Sequence, residues 1–278
     1  MKAQQRGVAL AIVVWFLAAM ALLVAGIVAH ARIETGGAQL HLARAKAVAA
    51  GDGAMVLAML DRSGGFQSSA DAPLVSESLQ RVGDLDVRVR IYPSEGFVDL
   101  NSAPAEILAA LFQYAAKLPP ANEQELANNV VQWRDLRSQR RSVDEPQRFY
   151  SLEDLLRVDG VTRTLVDGIR DFVIPGDWVR GGVDWSAAPQ ELFALLQSVS
   201  PELAEKAQRR REVLSSGGGK QGGFEVGGSS TYRVDALVEY GGRTWLRRRW
   251  MRLGSSRDSS LPWVILRNEA PRVVSGAI

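Results

Sequence analysis

Few side chains in this sequence have the type and spacing for covalent chemistry. The chain has no cysteine, which removes thiol catalysis, disulfides and cysteine-ligated metals. Its only histidines, His30 and His41, fall in one helix-compatible N-terminal stretch, and no nucleophile motif or phosphate-binding glycine loop occurs elsewhere. No catalytic residue is assigned, and the chain is not read as an enzyme. Glu106 and Glu191 follow Pro104 and Pro189 closely, where a glutamate suits the positive end of a helix dipole better than acid catalysis. Asp144, Glu145, Glu153 and Asp154 are loose metal-ligand candidates that lack the spacing of an EF-hand. A solvated acidic surface accounts for them, and the metal ligands stay unassigned. The bond best placed for chemistry done to the chain is Gly7–Val8. It separates a short basic leader, with Lys2 and Arg6, from an apolar run; cleavage there removes the leader and keeps the run.

That run, Val8 to Ala31, contains no Asp, Glu, Lys or Arg. A helix rises ~1.5 Å per residue, so it covers a ~30 Å hydrocarbon core. A secretory signal would have a shorter apolar stretch with its small residue on the far side. Lys2 and Arg6 precede the run while Arg32 is offset by Glu34, so the positive-inside bias keeps the leader in the cytoplasm. Over the whole chain of 278 residues, 33 Lys and Arg face 31 Asp and Glu, with a pI near 9.0. A dedicated nucleic-acid binder would carry a larger excess.

The sequence divides into a leader (1–7), a membrane helix (8–31), a helix with the first strands (32–100), a helical insertion (101–214), a glycine-rich connector (215–230), and closing strands with a tail (231–278). Leu40, Ala43, Ala47, Ala50, Ala54 and Leu57 recur at helical spacing, giving a stripe of mostly small residues that allows close approach. Gly36-Gly37 predicts a local irregularity in this helix. Leu85, Val87, Val89 and Ile91 alternate with polar residues as a half-buried strand, and Phe97 to Leu100 is a second, short one. Tyr232 to Tyr240, Gly241-Gly242 and Thr244 to Leu253 read as a hairpin with a two-residue turn. That turn places Asp235 opposite Arg248, a favourable cross-strand pair. Leu261 to Leu266 is either an edge strand or a partner-binding segment.

Inside the helical stretch lies a repeat. Val98 to Leu111 aligns without gaps to Val183 to Leu196, each with Val-Asp, Ala-Pro and a glutamate at a helix start. Ser151 with Asp154 forms a capping box, and Gly160 turns the chain between two helices. This is helix-hairpin-helix material, but Thr162 stands where a second glycine would let backbone amides approach a phosphate. The reading is a structural hairpin, with nucleic-acid binding through Gly160, Arg157 and Arg163 as its competitor. Arg209-Arg210-Arg211 reads as a solvated helix end.

The leader Gln5-Arg6-Gly7 before Val8-Ala9-Leu10 resembles a type IV prepilin leader. That resemblance implies cleavage after Gly7 by a prepilin peptidase and N-methylation of Val8. Most such subunits have a glutamate at the fifth mature position, and this chain has Ile12. With Val98 to Pro104, Ser151 to Val161 and the Gly-Gly hairpin, the sequence resembles the GspK minor pseudopilins of type II secretion systems along nearly its whole length. The resemblance implies an α+β fold: a pilin-like transmembrane helix packed on a small antiparallel sheet, with a large all-α domain inserted between strands. It also implies a single-pass protein of the cell inner membrane, with its soluble part in the periplasm. There the chain would cap the tip of the pseudopilus and help initiate its assembly for export across the outer membrane. Implied partners are other minor pseudopilins of the GspI, GspJ and GspH type, held by the face of Leu40, Ala43, Ala47, Ala50, Ala54 and Leu57. Some members of the family bind calcium in the inserted domain; no other cofactor is implied. The alternative is a membrane-anchored helix-hairpin-helix DNA receptor of the competence type.

Overall fold

A computed structural model describes residues 4–64, 75–116, 122–135, 148–176, 183–215, 231–254 and 261–274. Helix α1, Gln4–Gly64, is one unbroken helix of 61 residues, roughly 90 Å long at ~1.5 Å per residue. The irregularity expected at Gly36-Gly37 is absent, because the helix runs straight through both. Each glycine costs ~1 kcal/mol relative to alanine, and strong helix formers on either side carry the segment across.

The C-terminal half of α1 lies on an antiparallel sheet. Its strands are β1 (Ser76–Val82), β2 (Leu85–Pro93), β5 (Thr231–Tyr240), β6 (Arg243–Leu253) and β7 (Trp263–Asn268), in that order, with β8 (Arg272–Val274) paired to β6 beside β7. Period-two alternation sets one face of β2, β5 and β6 toward the helix. Val87, Val89, Ile91, Val234, Ala236, Val238, Trp245 and Met251 there form one core with Ala43, Ala47, Ala50, Ala54, Met55, Ala58 and Met59 of α1. Small side chains let the helix axis sit close to the strands. At Gly51 a Cβ would stand 3.0 Å from Cβ of Arg247, so contact between helix and β6 depends on its absence.

The β5–β6 hairpin has the expected register, with Asp235 opposite Arg248. The segment from Leu261 resolves as an edge strand, β7, paired antiparallel to β6.

Between β2 and β5 the chain forms α2 (Ala105–Ala116), α3 (Asn122–Asp135), α4 (Arg163–Ile169), α5 (Gln190–Val199) and α6 (Pro201–Ser215), with 3₁₀ turns at Ser94–Gly96 and Leu152–Arg157. It closes a core of its own around Leu108, Leu111, Phe112, Val130, Phe149, Val166 and Leu192. The expectation of an all-α insertion needs one correction. β3 (Val98–Asp99) and β4 (Val173–Ile174) pair in parallel, because Val98 and Leu100 donate backbone hydrogen bonds to the carbonyls of Phe172 and Ile174. The short strand expected over Phe97 to Leu100 therefore joins this pair and not the main sheet. The glycine-rich connector, apart from Ser215, lies outside the described residues.

Candidate functional site

From Leu10 to Ile33 the large apolar side chains of α1 are exposed, among them Leu10, Val13, Trp15, Phe16, Leu22, Leu23 and Ile27. This segment is long and apolar enough to cross a membrane, and none of its apolar window is buried inside the chain. Exposure of that extent is costly in water and favourable in lipid. Gly7 and Val8 lie within the helix, and Ile12 projects outward at 63% exposure.

The small-residue stripe faces the chain's own sheet. Ala43, Ala47, Ala50 and Ala54 are buried, while Leu40 and Leu57 at its margins are 40% and 41% exposed. The stripe was expected to bind partners; the close approach it permits is already taken by β5 and β6. The opposite side of α1 carries a second apolar set at helical spacing, with Ala38, Leu42, Ala45, Ala49 and Leu60 exposed. No charged residue interrupts this set, and it continues the lipid-length segment along the same helix.

In the helical region the repeated sequence builds a repeated turn. Asp99 accepts from the backbone N–H of Asn101 (2.9 Å) and the hydroxyl of Ser102 (2.7 Å). Asp184 accepts from the backbone N–H of Ser186 (3.0 Å) and its hydroxyl (2.5 Å). Each turn fixes the entry to a helix whose first turn holds Glu106 or Glu191. Pro104 and Pro189 stand just before α2 and α5 and not inside them.

The loose acidic candidates are spent on structure where they are described. Asp154 completes the capping box with Ser151 and also accepts from the N–H of Tyr150 at 3.0 Å. Glu153 pairs with Arg267 of β7 at 3.6 Å. Asp144 and Glu145 lie outside the described residues. Among the described residues no group of three or more His, Asp or Glu is placed to hold a metal ion.

The hairpin tip is engaged as well. Gly160 has φ +81°, and a Cβ there would press on Leu126 of α3. Asn129 of α3 donates to the Asp159 carbonyl at 3.3 Å, and the Thr162 hydroxyl caps α4 by accepting from the N–H of Leu165 at 3.3 Å. Arg157 and Arg163 pair with Asp154 (3.6 Å) and Asp167 (3.3 Å).

In the run Arg209-Arg210-Arg211 the first two side chains are solvent-exposed as expected, and Arg211 is not. Arg209 pairs with Glu205 (3.1 Å) and Arg210 with Asp184 (3.6 Å). Arg211 stacks on Phe193 at 4.0 Å from the ring centre and donates to the carbonyls of Trp185 (3.1 Å), Ser186 (3.0 Å) and Ala188 (2.6 Å). Burial and Asp184 act on it in opposite directions, and burial prevails, holding its guanidinium below the usual value.

On the sheet face turned away from α1, the helical region meets a group of buried charges. Arg248 makes a bidentate contact to Asp235, Nε to Oδ1 at 2.7 Å and Nη2 to Oδ2 at 2.8 Å. Its third nitrogen, Nη1, donates to Asp171 Oδ1 at 2.5 Å. Asp171, in the turn between α4 and β4, also accepts from Arg272 of β8, and its carbonyl accepts from Arg233 Nη1 at 2.6 Å. Arg233 pairs with Asp235 at 3.1 Å and lies over the rings of Phe97 (4.1 Å) and Tyr92 (5.0 Å). Burial pushes the carboxyls of Asp171 and Asp235 up, but the neighbouring arginines outweigh it and hold both below the ordinary carboxylate range. Burial likewise opposes the charge on Arg248, and Asp235 with Asp171 overcomes it and raises its pKa. For Arg233, burial and the Arg248 charge win, and its pKa is lowered. The sequence marks Asp235 and Arg248 through the hairpin register; nothing local marks Asp171.

No protein-family model matches the sequence, and no curated protein matches it. Among solved structures the chain is similar to one in the crystal structure of the GspK-GspI-GspJ complex from the type 2 secretion system of enterotoxigenic Escherichia coli. The identity is 11% and the TM-score 0.47, with 87% of this chain and 100% of that chain covered.

Proposed function

We propose that this chain is a minor pseudopilin of the type II secretion kind, held in the inner membrane by the first half of α1 with the rest in the periplasm. The observation that carries the reading is the division of labour along α1. One continuous helix exposes a lipid-length apolar segment and then buries a stripe of small residues on an antiparallel sheet, with a helical region between the second and third paired strands. On this reading the units are a leader at 1–7, a membrane helix at 8–31, a pilin-like part split between 32–100 and 231–278, and an inserted helical part at 101–214.

A prepilin peptidase cuts after Gly7, and Val8 becomes the methylated N-terminus. Ile12 supplies no carboxylate for a neighbouring subunit's N-terminal amine. A carboxylate in lipid is costly without such a partner, which suits a subunit at the tip with none to satisfy above it. Other minor pseudopilins, of the GspI, GspJ and GspH type, then pack on the outward set of Leu42, Ala45, Ala49 and Leu60, since the inward stripe is occupied. The engaged hairpin at Gly160 and its paired arginines weigh against the DNA-receptor alternative.

Mass spectrometry of the membrane-extracted protein, made in a cell with the peptidase, tests the reading. The expected mass begins at methylated Val8, and Gly7→Val keeps the leader. A wild-type protein intact from Met1 overturns it.

A further inference from the structure

The helical region and the sheet each close their own core, and the seam between them is small. Its apolar part is Phe97, Ile174 and Trp250, with Tyr92 and Leu266 at the margin. Its polar part is the pair of Glu153 with Arg267 at 3.6 Å and, more deeply buried, Asp171, which enters from the helical region and receives Arg248 and Arg272 from the sheet. We propose that Asp171 is a latch. Its negative charge holds the helical region in one orientation on the sheet, and neutralising it lets that region swing away from the sheet while both cores stay folded.

The groups facing Asp171 make its charge decisive. From β5 come Arg233 and Asp235, from β6 Arg248, from β8 Arg272, from the segment after β7 Glu269, and from β2 the ring of Tyr92 through Arg233. Arg170, its chain neighbour, pairs with Asp167 at 3.5 Å. Three guanidinium groups are thus balanced by Asp171, Asp235 and Glu269. Without the Asp171 charge, Arg248 keeps its two bonds to Asp235 and its contact with Glu269 at 3.9 Å, but its Nη1 and the head of Arg272 lose the anionic oxygen they are bonded to. A buried cation such as Arg248, left short of counter-charge, favours an arrangement that admits water. Opening the seam provides one; its apolar cost is the small cluster of Phe97, Ile174 and Trp250, and the Glu153–Arg267 pair across it is partly exposed, so it is a low-stability element between two stable ones.

The native chain lacks cysteine, so Leu79→Cys in β1 and Tyr114→Cys in α2, both exposed positions, give two unique sites for spin labels. The full chain in detergent micelles should show one narrow inter-label distance at pH 7. With Asp171→Asn a displaced distance should appear, its population raised roughly tenfold or more. Asp171→Glu, which keeps the charge, should restore much of the narrow peak. In the chain with Asp171 intact, the displaced population should appear reversibly as pH falls below about 4, the ordinary carboxylate range. Amide protection at Val89 in β2 and Leu108 in α2 should persist throughout. An unchanged narrow distance in Asp171→Asn overturns the proposal. So does a displaced distance that appears only together with loss of protection in both cores, since that is unfolding and not release. If Asp171→Asn fails to fold, the pH titration of the labelled chain decides alone.

Discussion

Arg247, Arg248 and Arg249 are consecutive on β6, yet they serve opposite sides of the sheet. Arg247 and Arg249 turn toward α1 and share Asp52, each with a contact of 2.7 Å. Arg248 turns the other way into the seam with the helical region, where it is 1% exposed. The Asp52 side chain is 28% exposed, so water can solvate it when a partner is lost, whereas Arg248 has no such recourse. The same residue type at neighbouring positions therefore makes a minor contact on one face and a decisive one on the other. Strand alternation assigns the sides, and burial sets the magnitudes.

The largest test of that contrast is Arg248→Ala. It leaves Asp235 buried beside Arg233 alone and takes a donor from Asp171. It should cost about 3–5 kcal/mol, read as a large drop in the melting temperature of the full chain in micelles. Arg248→Met, nearer in volume, should recover the packing part of that loss but not the charge part.

Acid provides the next test. Asp171 and Asp235 have folded pKa values below their unfolded ones. The stability they contribute is therefore fully present above about pH 5 and is lost as pH falls below about 4 toward the folded values. Denaturation followed from pH 7 to pH 2 should show a steep decline below pH 4. Asp171→Asn should be less stable at pH 7 and should decline less steeply, because one of the two titrating groups is gone. Parallel curves for the two proteins would contradict the assignment.

On the α1 face the effects should be smaller. Gly51→Ala places a methyl 3.0 Å from the Cβ of Arg247 and should cost about 1–3 kcal/mol by overpacking. Asp52→Asn should cost less than Arg248→Ala, about 1–2 kcal/mol, because Asp52 is 28% exposed and Arg247 and Arg249 keep contacts to Asn268 and the Glu269 carbonyl. If Asp52→Asn proved as damaging as Arg248→Ala, the contrast between the two faces would fail.

The hairpin pair was legible in advance because a two-residue turn fixes every cross-strand partner by counting from Gly241-Gly242. Strand β2 was legible because its alternation has one apolar face. Asp171 was not, since its partner Arg248 lies 77 positions away and only the folded chain brings them together. Arg211 was hidden for the same reason: its acceptors are carbonyls more than twenty positions earlier, and carbonyls carry no sequence signal. The small-residue stripe was seen correctly as a surface made for close approach. Periodicity does not say whether the approaching surface belongs to the same chain, however, and α1 has two such faces. The expected break at Gly36-Gly37 failed because propensity weighs single residues, whereas a long helix is cooperative.

That unbroken helix has a mechanical consequence. A rod without a joint acts as a strut and a shaft at once, so a push or a twist applied to its lipid-length end is carried along it to the sheet. The soluble body cannot nod relative to the bilayer unless the rod tilts within it. The cheapest place to build in a fuse is Gly36-Gly37, where adjacent glycines with open space around them are a kind of site at which helices yield.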